Sequence, residues 1–251
     1  MIYFVGAGPG AVDLITVRGA ALLRRAGMII YAGSLVNPAL LERVPAGCEV
    51  LDSASMTLDQ VLDALCRGAA RHEVVVRLHT GDPSVFGAIR EQLDALAAKD
   101  LRCEVVPGVS SFCAAAAALQ AEYTLPGVSQ TVILSRMAGR TPVPEAEEIS
   151  LLAAHQCTMV LFLSAGMLEA LSGRLLAGGY PPETPAAIVY KASWPEERKI
   201  VGTVASLARM GQELEADATA LVLVGRFLGN TYDRSLLYDA AFSHGFREAS
   251  R

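Results

Sequence analysis

From Ile2 to Leu119 the chain alternates short apolar runs with segments whose apolar residues recur every three or four positions. The runs are Ile2–Val5, Met28–Tyr31, Glu49–Leu51, Val74–His79 and Glu104–Pro107, and each reads as a strand. Between and after them, Thr16–Ala26, Leu58–Arg71, Ala88–Lys99 and the alanine-rich Ser110–Leu119 read as helices. In the second of these, Val61, Leu62, Leu65, Cys66 and Ala69 form the apolar face. Strands separated by helices of this length pair in parallel, with the helices as crossovers.

The polar stretch Ala121–Gln130, broken by Pro126-Gly127, reads as a junction. It predicts an N-terminal α/β domain over 1–120 and a C-terminal α/β domain over 121–251. Beyond it the strand-like runs are TVILS, TMVLFLS, AAIVY, KIVGTV and ALVLVG, with helices expected over Leu168–Leu176 and Val204–Leu214. The stretch KASWPEERKIVGTV leaves no room for a helix between two strands, which requires antiparallel pairing and therefore a mixed sheet.

Composition excludes several classes of function. The net charge is -5 with acids and bases interspersed, so the basic face of a nucleic-acid binder is missing. The five cysteines have no C-x-x-C spacing and lie in apolar runs, which predicts buried, reduced thiols and no zinc site. His72, His155 and His244 share no ligand spacing with acids or cysteines, and no catalytic metal is expected. No apolar run reaches the roughly 18 residues of a membrane span. The N-terminus starts in a strand with no basic segment, so no signal peptide is expected. A soluble, cytoplasmic protein follows as the expectation.

The stretch GAGPGA, Gly6–Ala11, follows the first strand and fits the glycine pattern of a dinucleotide fold. Two features oppose that reading. The end of the second strand, Tyr31-Ala32-Gly33, has no acid for the ribose hydroxyls. Asp13 is also expected to delay and cap the helix near Thr16, away from the glycines. Two more Gly/Pro loops, His79–Gly87 after the fourth strand and Val106–Phe112 after the fifth, favour a ligand over three accidental turns. Ligands of open α/β sheets sit outside the carboxyl ends of the strands.

The three loops, read as VGAGPG…DLITVRGAALL, TGDPSVFG and VVPGVSS, resemble the tetrapyrrole (corrin and porphyrin) methylase family in order and spacing. The resemblance extends through YKASWPEERKIVGTV and ALVLVGRFL. It implies two α/β domains with S-adenosylmethionine in the cleft between them, S-adenosylhomocysteine as product, a tetrapyrrole substrate and a homodimer. YAGSLVNPALL, HTGDPSVFGAIREQ, LPGVSQTVILSRMAGRTPVPE and LYDAAFSHGFR resemble the branch that methylates carbon 11 of precorrin-4 in cobalamin biosynthesis. Uroporphyrinogen methylases carry an acid where this chain has Ala32, which argues against that substrate. Methylation of another precorrin, the cobalt-bearing version of the same step, and a non-catalytic nucleotide-binding module remain the alternatives.

The resemblance places the cofactor at Pro9, Thr80, Gly81, Asp82, Val85, Ser110 and Ser111, and at Leu163, Ala192 and Ala220 in the second domain. The residue types suit a neutral or cationic ligand, since the loops contain no lysine or arginine and Asp82 complements an amine or sulfonium. Asp82 also has an ordinary structural reading as a turn residue before Pro83, and Ser110 or Ser111 as a helix cap. For a substrate bearing several carboxylates, Arg136 and Arg140 stand on the long polar segment Ser135–Glu148, and arginine forks match carboxylates. Tyr31, Ser34 and Asn37 are expected to face the same site, and Lys191 is a further cationic candidate. Arg77 is expected to pair structurally and His79 to be a hydrogen-bonded core residue. An activated sulfonium and an electron-rich macrocycle need little acid–base help. No general base is therefore assigned, and any indirect catalytic role falls to Asp82 or Tyr31.

Overall fold

The computed structural model describes residues 1–215 and 219–249, and the side chain of Ser34 lies outside what is described. The chain divides into two compact units. The first comprises Met1–Ala118 together with Lys191–Glu197; the second comprises Leu119–Tyr190 and the described residues from Arg198 onward.

In the first unit β1 (Ile2–Gly6), β2 (Met28–Tyr31), β3 (Glu49–Asp52), β4 (Val75–His79) and β5 (Cys103–Val106) form one sheet in the order β3-β2-β4-β1-β5. Every pairing is parallel. The alternation of side chains along each strand serves two cores, as expected for a sheet covered on both faces. Ile2, Phe4, Met28, Ile30 and Val75 pack in one cluster, with Leu62 and Leu65 of helix α2 (Leu58–Arg71) and Leu96 of α3 (Arg90–Ala97). Val5, Ile29, Val76 and Leu78 pack in the other, with Leu22 and Leu23 of α1 (Val17–Leu23).

The helix starts follow local chemistry. Helix α2 opens with a capping box in which Thr57 and Gln60 satisfy each other's backbone amides. Its buried face is Val61, Leu62, Ala64, Leu65 and Gly68, while Cys66 and Ala69 are only partly packed. Helix α1 begins after Thr16, whose hydroxyl accepts from the Gly19 amide. The expected start is thus met, but Thr16 supplies the cap in place of Asp13. Helix α4 (Ser111–Leu119) runs to the end of the unit's first segment, its last residue being the first of the second unit.

The second unit contains β6 (Val132–Arg136), β7 (Thr158–Phe162), β8 (Pro185–Tyr190), β9 (Arg198–Thr203) and β10 (Ala220–Val224), ordered β6-β7-β10-β8-β9. β6 and β7 are parallel; the other pairings are antiparallel. The mixed sheet expected from the short β8–β9 connection is present. Helices α5 (Ile149–Ala153), α6 (Leu168–Ala177) and α7 (Leu207–Leu214) cover one face, around Met159, Leu161, Ile188 and Val222. Helix α5 lies in a stretch that sequence periodicity leaves unassigned, because five residues are too few to show a 3.6-residue repeat.

Two expectations, for the cysteines and for His79, need correction, while the structural pairing expected of Arg77 is met. All five cysteines are free, but only Cys157 is buried and Cys113 is exposed. Arg77 is buried, and its partners are neutral: Gln92 Oε1, the Ile30 carbonyl and Ser53 Oγ, at 3.0–3.3 Å. His79 is buried and stacks on Phe4 at 5.9 Å between ring centroids, but its Nε2 has no hydrogen-bond partner. Alternation along β4 puts Arg77 and His79 on the face of Val75, inside a core that periodicity marks as apolar.

Two of the fold's constraints predict measurable effects. Burial, and next the charge of Arg77, push the His79 imidazole down to about 3. As pH falls below the ordinary histidine value of about 6.5, the unfolded chain takes up that proton and the folded chain does not. Stability is therefore complete above about pH 6.5 and declines toward pH 3, by at most about 1.4 kcal/mol per pH unit from this group. Urea unfolding at pH 7 and pH 5 should show a loss up to about 2 kcal/mol larger in the native protein than in His79→Phe. The second effect concerns Gly108, where a Cβ would run into the Gly81 carbonyl and the Gly6 backbone. Gly108→Ala should lower unfolding free energy by about 1–3 kcal/mol in the same assay.

Candidate functional site

Because β1 lies between β4 and β5, the loops following these three strands emerge side by side at the carboxyl edge of the first sheet. Their backbones touch. Gly8 and Gly81 exchange backbone hydrogen bonds of 2.8 and 3.3 Å, and both have positive φ, +82° and +59°. The Ala7 amide donates to the His79 carbonyl at 2.7 Å. Added side chains at Gly6 or Gly108 would strike the backbone of the neighbouring loops. Glycine is used here for close approach of three chains as well as for turning.

Asp82 binds this cradle together. Its Oδ2 accepts from the Gly108 amide at 2.8 Å, and its Oδ1 accepts from the Ser84 amide at 2.8 Å and from the Ser84 hydroxyl. Burial alone would raise the carboxyl's pKa, but the bonds from Ser84 and Gly108 outweigh it and hold the group below the usual carboxylate range. Asp82 is therefore a turn residue, as its place before Pro83 suggested, and also a tether between two loops.

The other first-unit candidates gather at the same edge. Pro9, Gly81 and Ser110 are buried, Val85 and Ser111 half-buried, and Thr80 exposed. Tyr31 ends β2 and is half-buried. Asn37 follows it, caps a 3-10 turn through the Ala39 amide at 3.0 Å and donates to the Gly10 carbonyl at 2.9 Å. Its amide is thus committed to shaping the GAGPGA loop. Ser34 lies in the preceding 3-10 turn, Gly33–Leu35, with its side chain outside the description.

The second-unit candidates gather at one edge of their own sheet. Arg136 ends β6 opposite Phe162, and Leu163 follows the end of β7. Ala220 begins β10 opposite Tyr190, the last residue of β8. Leu163 is 59% exposed with φ +52°, a left-handed conformation that costs a non-glycine residue roughly 1–2 kcal/mol. Beside it, buried Ser164 accepts from the Met137 amide at 2.9 Å and donates to the Phe162 carbonyl at 2.7 Å, tying β6 to β7. Arg136 donates to the carbonyls of Met137, Thr141 and Pro142, so it organises the loop that presents exposed Arg140.

Ala192 is buried within Lys191–Glu197, which belongs to the first unit although β8 and β9 on either side belong to the second. In this segment sequence reading missed Ser193 and Trp194, both of which bond to the GAGPGA loop. The available signal was a lone tryptophan before proline in a polar loop, where an exposed indole is costly. Lys191 reaches Glu196 at 4.0 Å and lies over the Trp194 ring at 5.4 Å.

The comparisons with known proteins agree in kind. Residues 1–208 match the family described as Tetrapyrrole (Corrin/Porphyrin) Methylases. The cobalt-precorrin-4 C(11)-methyltransferase of Methanocaldococcus jannaschii is 45% identical, over 100% of this chain and 97% of its own. The precorrin-4 C(11)-methyltransferase of Mycobacterium tuberculosis is 46% identical, over 97% and 98% respectively. Among solved structures, a cobalamin biosynthetic enzyme, cobalt precorrin-4 methyltransferase, superposes with a TM-score of 0.88 at 43% identity, covering 91% of this chain and 96% of that one. Uroporphyrin-III C-methyl transferase from Thermus thermophilus, complexed with S-adenyl homocysteine, gives 0.75 at 28% identity, covering 90% and 92%. With matching motifs, matching sheets and near-complete coverage, this chain belongs to the tetrapyrrole methylase family.

Proposed function

We propose that this protein transfers a methyl group from S-adenosylmethionine to carbon 11 of precorrin-4, giving precorrin-5 in cobalamin biosynthesis. The observation that carries the reading is the 45–46% identity, over nearly the whole chain, to two proteins bearing that activity in their names. One of those names specifies the cobalt-bearing substrate and the other does not, and both substrates fit the reading. Part of the same reading is a two-domain division near residue 120, a homodimer and a cytoplasmic location. Among the described residues, no helix is long and apolar enough to cross a membrane.

The cradle suits the cofactor. Glycines let the three loops pack against one another into a fixed cradle, and Pro9, Thr80, Gly81, Val85, Ser110 and Ser111 would surround the ligand. The three loops contain no cation that a phosphate would need, whereas ionised Asp82 complements positive charge. Leu163, Ala192 and Ala220 would supply apolar contact. When bound, S-adenosylmethionine provides a methyl group activated by its sulfonium. The residues' contribution is orientation: aligning donor and acceptor is worth up to about 7–11 kcal/mol in ideal cases. Arg140 and the loop shaped by Arg136 would receive substrate carboxylates, with Tyr31 and Ser34 at the edge of the first sheet and Asn37 holding the adjoining loop.

Incubation with carbon-13 methyl-labelled S-adenosylmethionine and enzymatically generated precorrin-4, read by NMR, tests the reading. One labelled methyl at carbon 11 is expected. A methyl at another carbon would keep the chemistry and overturn the regiochemistry. Absence of transfer to both metal-free and cobalt-bearing substrate would overturn the activity. Arg140→Ala should raise KM for the tetrapyrrole about tenfold, the effect of losing one charge-assisted contact of about 1.5 kcal/mol, with the S-adenosylmethionine KM unchanged.

A further inference from the structure

Three consecutive residues of the GAGPGA loop are each held by a side chain from elsewhere. The Pro9 carbonyl accepts from Trp194 Nε1 at 2.9 Å, the Gly10 carbonyl from Asn37 Nδ2 at 2.9 Å, and the Ala11 amide donates to Ser193 Oγ at 3.0 Å. The indole lies so close to Gly10 that a Cβ there would collide with it. Two of the three holding residues come from Lys191–Glu197, some 180 positions away along the chain (|i−j| of 182 and 185).

That segment has a defined shape of its own. Ser193 donates its amide to Glu197 Oε2 at 2.7 Å, the Trp194 amide donates to the Lys191 carbonyl at 2.9 Å, and the Glu197 amide donates to the Trp194 carbonyl at 3.0 Å. Lys191 and Ser193 both have left-handed backbones, φ +48° and +68°, which neither residue favours. Strain of that kind persists where surrounding contacts over-determine it, and it concentrates at functional elements. A loop with three glycines in five residues would otherwise sample many conformations.

We propose that Lys191–Glu197 is a strap that sets the conformation of Pro9–Ala11, with Trp194 and Ser193 as positioning residues for cofactor binding. The inference rests on the reading that this loop meets S-adenosylmethionine. Trp194 acts through the Pro9 carbonyl and Gly10 backbone, and Ser193 through the Ala11 amide. Together they remove the ordering cost that a free glycine loop would incur when the cofactor binds.

Two variants separate this from a general packing role. Trp194→Phe keeps an aromatic ring and removes the N–H, and Ser193→Ala removes one hydroxyl. Hydrogen exchange in the peptide containing residues 8–12 should accelerate about tenfold in each, with exchange in β4 and β5 unchanged. Calorimetry should show S-adenosylhomocysteine binding about fivefold to tenfold weaker, as expected for one lost hydrogen bond of about 1 kcal/mol. KM for S-adenosylmethionine should rise by the same factor, with kcat at saturation within about twofold. If Trp194→Phe loses its cooperative unfolding transition, Ser193→Ala decides the matter. Native exchange and native affinity in Ser193→Ala and in any folded Trp194→Phe would overturn the strap. Failure of the unmodified protein to bind S-adenosylhomocysteine would overturn the cofactor reading and the positioning role with it, whatever the exchange rates.

Discussion

The contact of bare backbones at Gly6, Gly81 and Gly108 is the constraint from which the rest of the first unit's candidate site follows. Parallel pairing places β1 between β4 and β5, so three loops leave the sheet at adjacent points. Side chains at Gly6 or Gly108 would force the loops apart, and their polar groups would lose the partners they now share, while Gly81 is needed for its positive φ. With the glycines in place, Gly8 and Gly81 form a short bridge and Asp82 reaches the Gly108 amide. Buried backbone groups must find partners, and here each loop supplies partners for another.

This packing changes the meaning of several polar side chains. Asp82, Asn37 and Arg136 look like ligand-binding groups when read one at a time. Each spends most of its hydrogen bonds on backbone amides or carbonyls of a loop. Their work is to hold loops in shape, which suits a reaction whose barrier is lowered chiefly by orientation. Leu163 and Arg140 are exposed, on an edge organised by Ser164 and Arg136.

The fold was largely legible along the chain because its signals are local. The runs at Met28–Tyr31 and the helix at Leu58–Arg71 have the bounds that their apolar spacing implies. The glycine loops were legible as a group, since each follows a strand of a parallel sheet. What escaped was non-local or too short. Five residues of α5 carry no period, and the Thr16 cap competes with Asp13 in a way that only backbone geometry settles. Arg77 and His79 follow the alternation of β4, yet nothing in that pattern says which partners they find: neutral ones for Arg77, none for His79 Nε2.

By itself the sequence determined the strand and helix order, the parallel and mixed character of the two sheets, and, through its motifs, the family. Hydrophobic period, turn residues and glycine spacing act over a few positions, so they survive in the linear record. Only the tertiary structure decided which atoms the polar residues serve. It showed that Asp82 ties two loops, that Arg136 closes its own, and that Trp194 and Ser193 return from the far half of the chain to hold the first glycine loop. Hydrogen-bond pairing depends on distance and direction in three dimensions, and residues 185 positions apart leave no trace of it in their order.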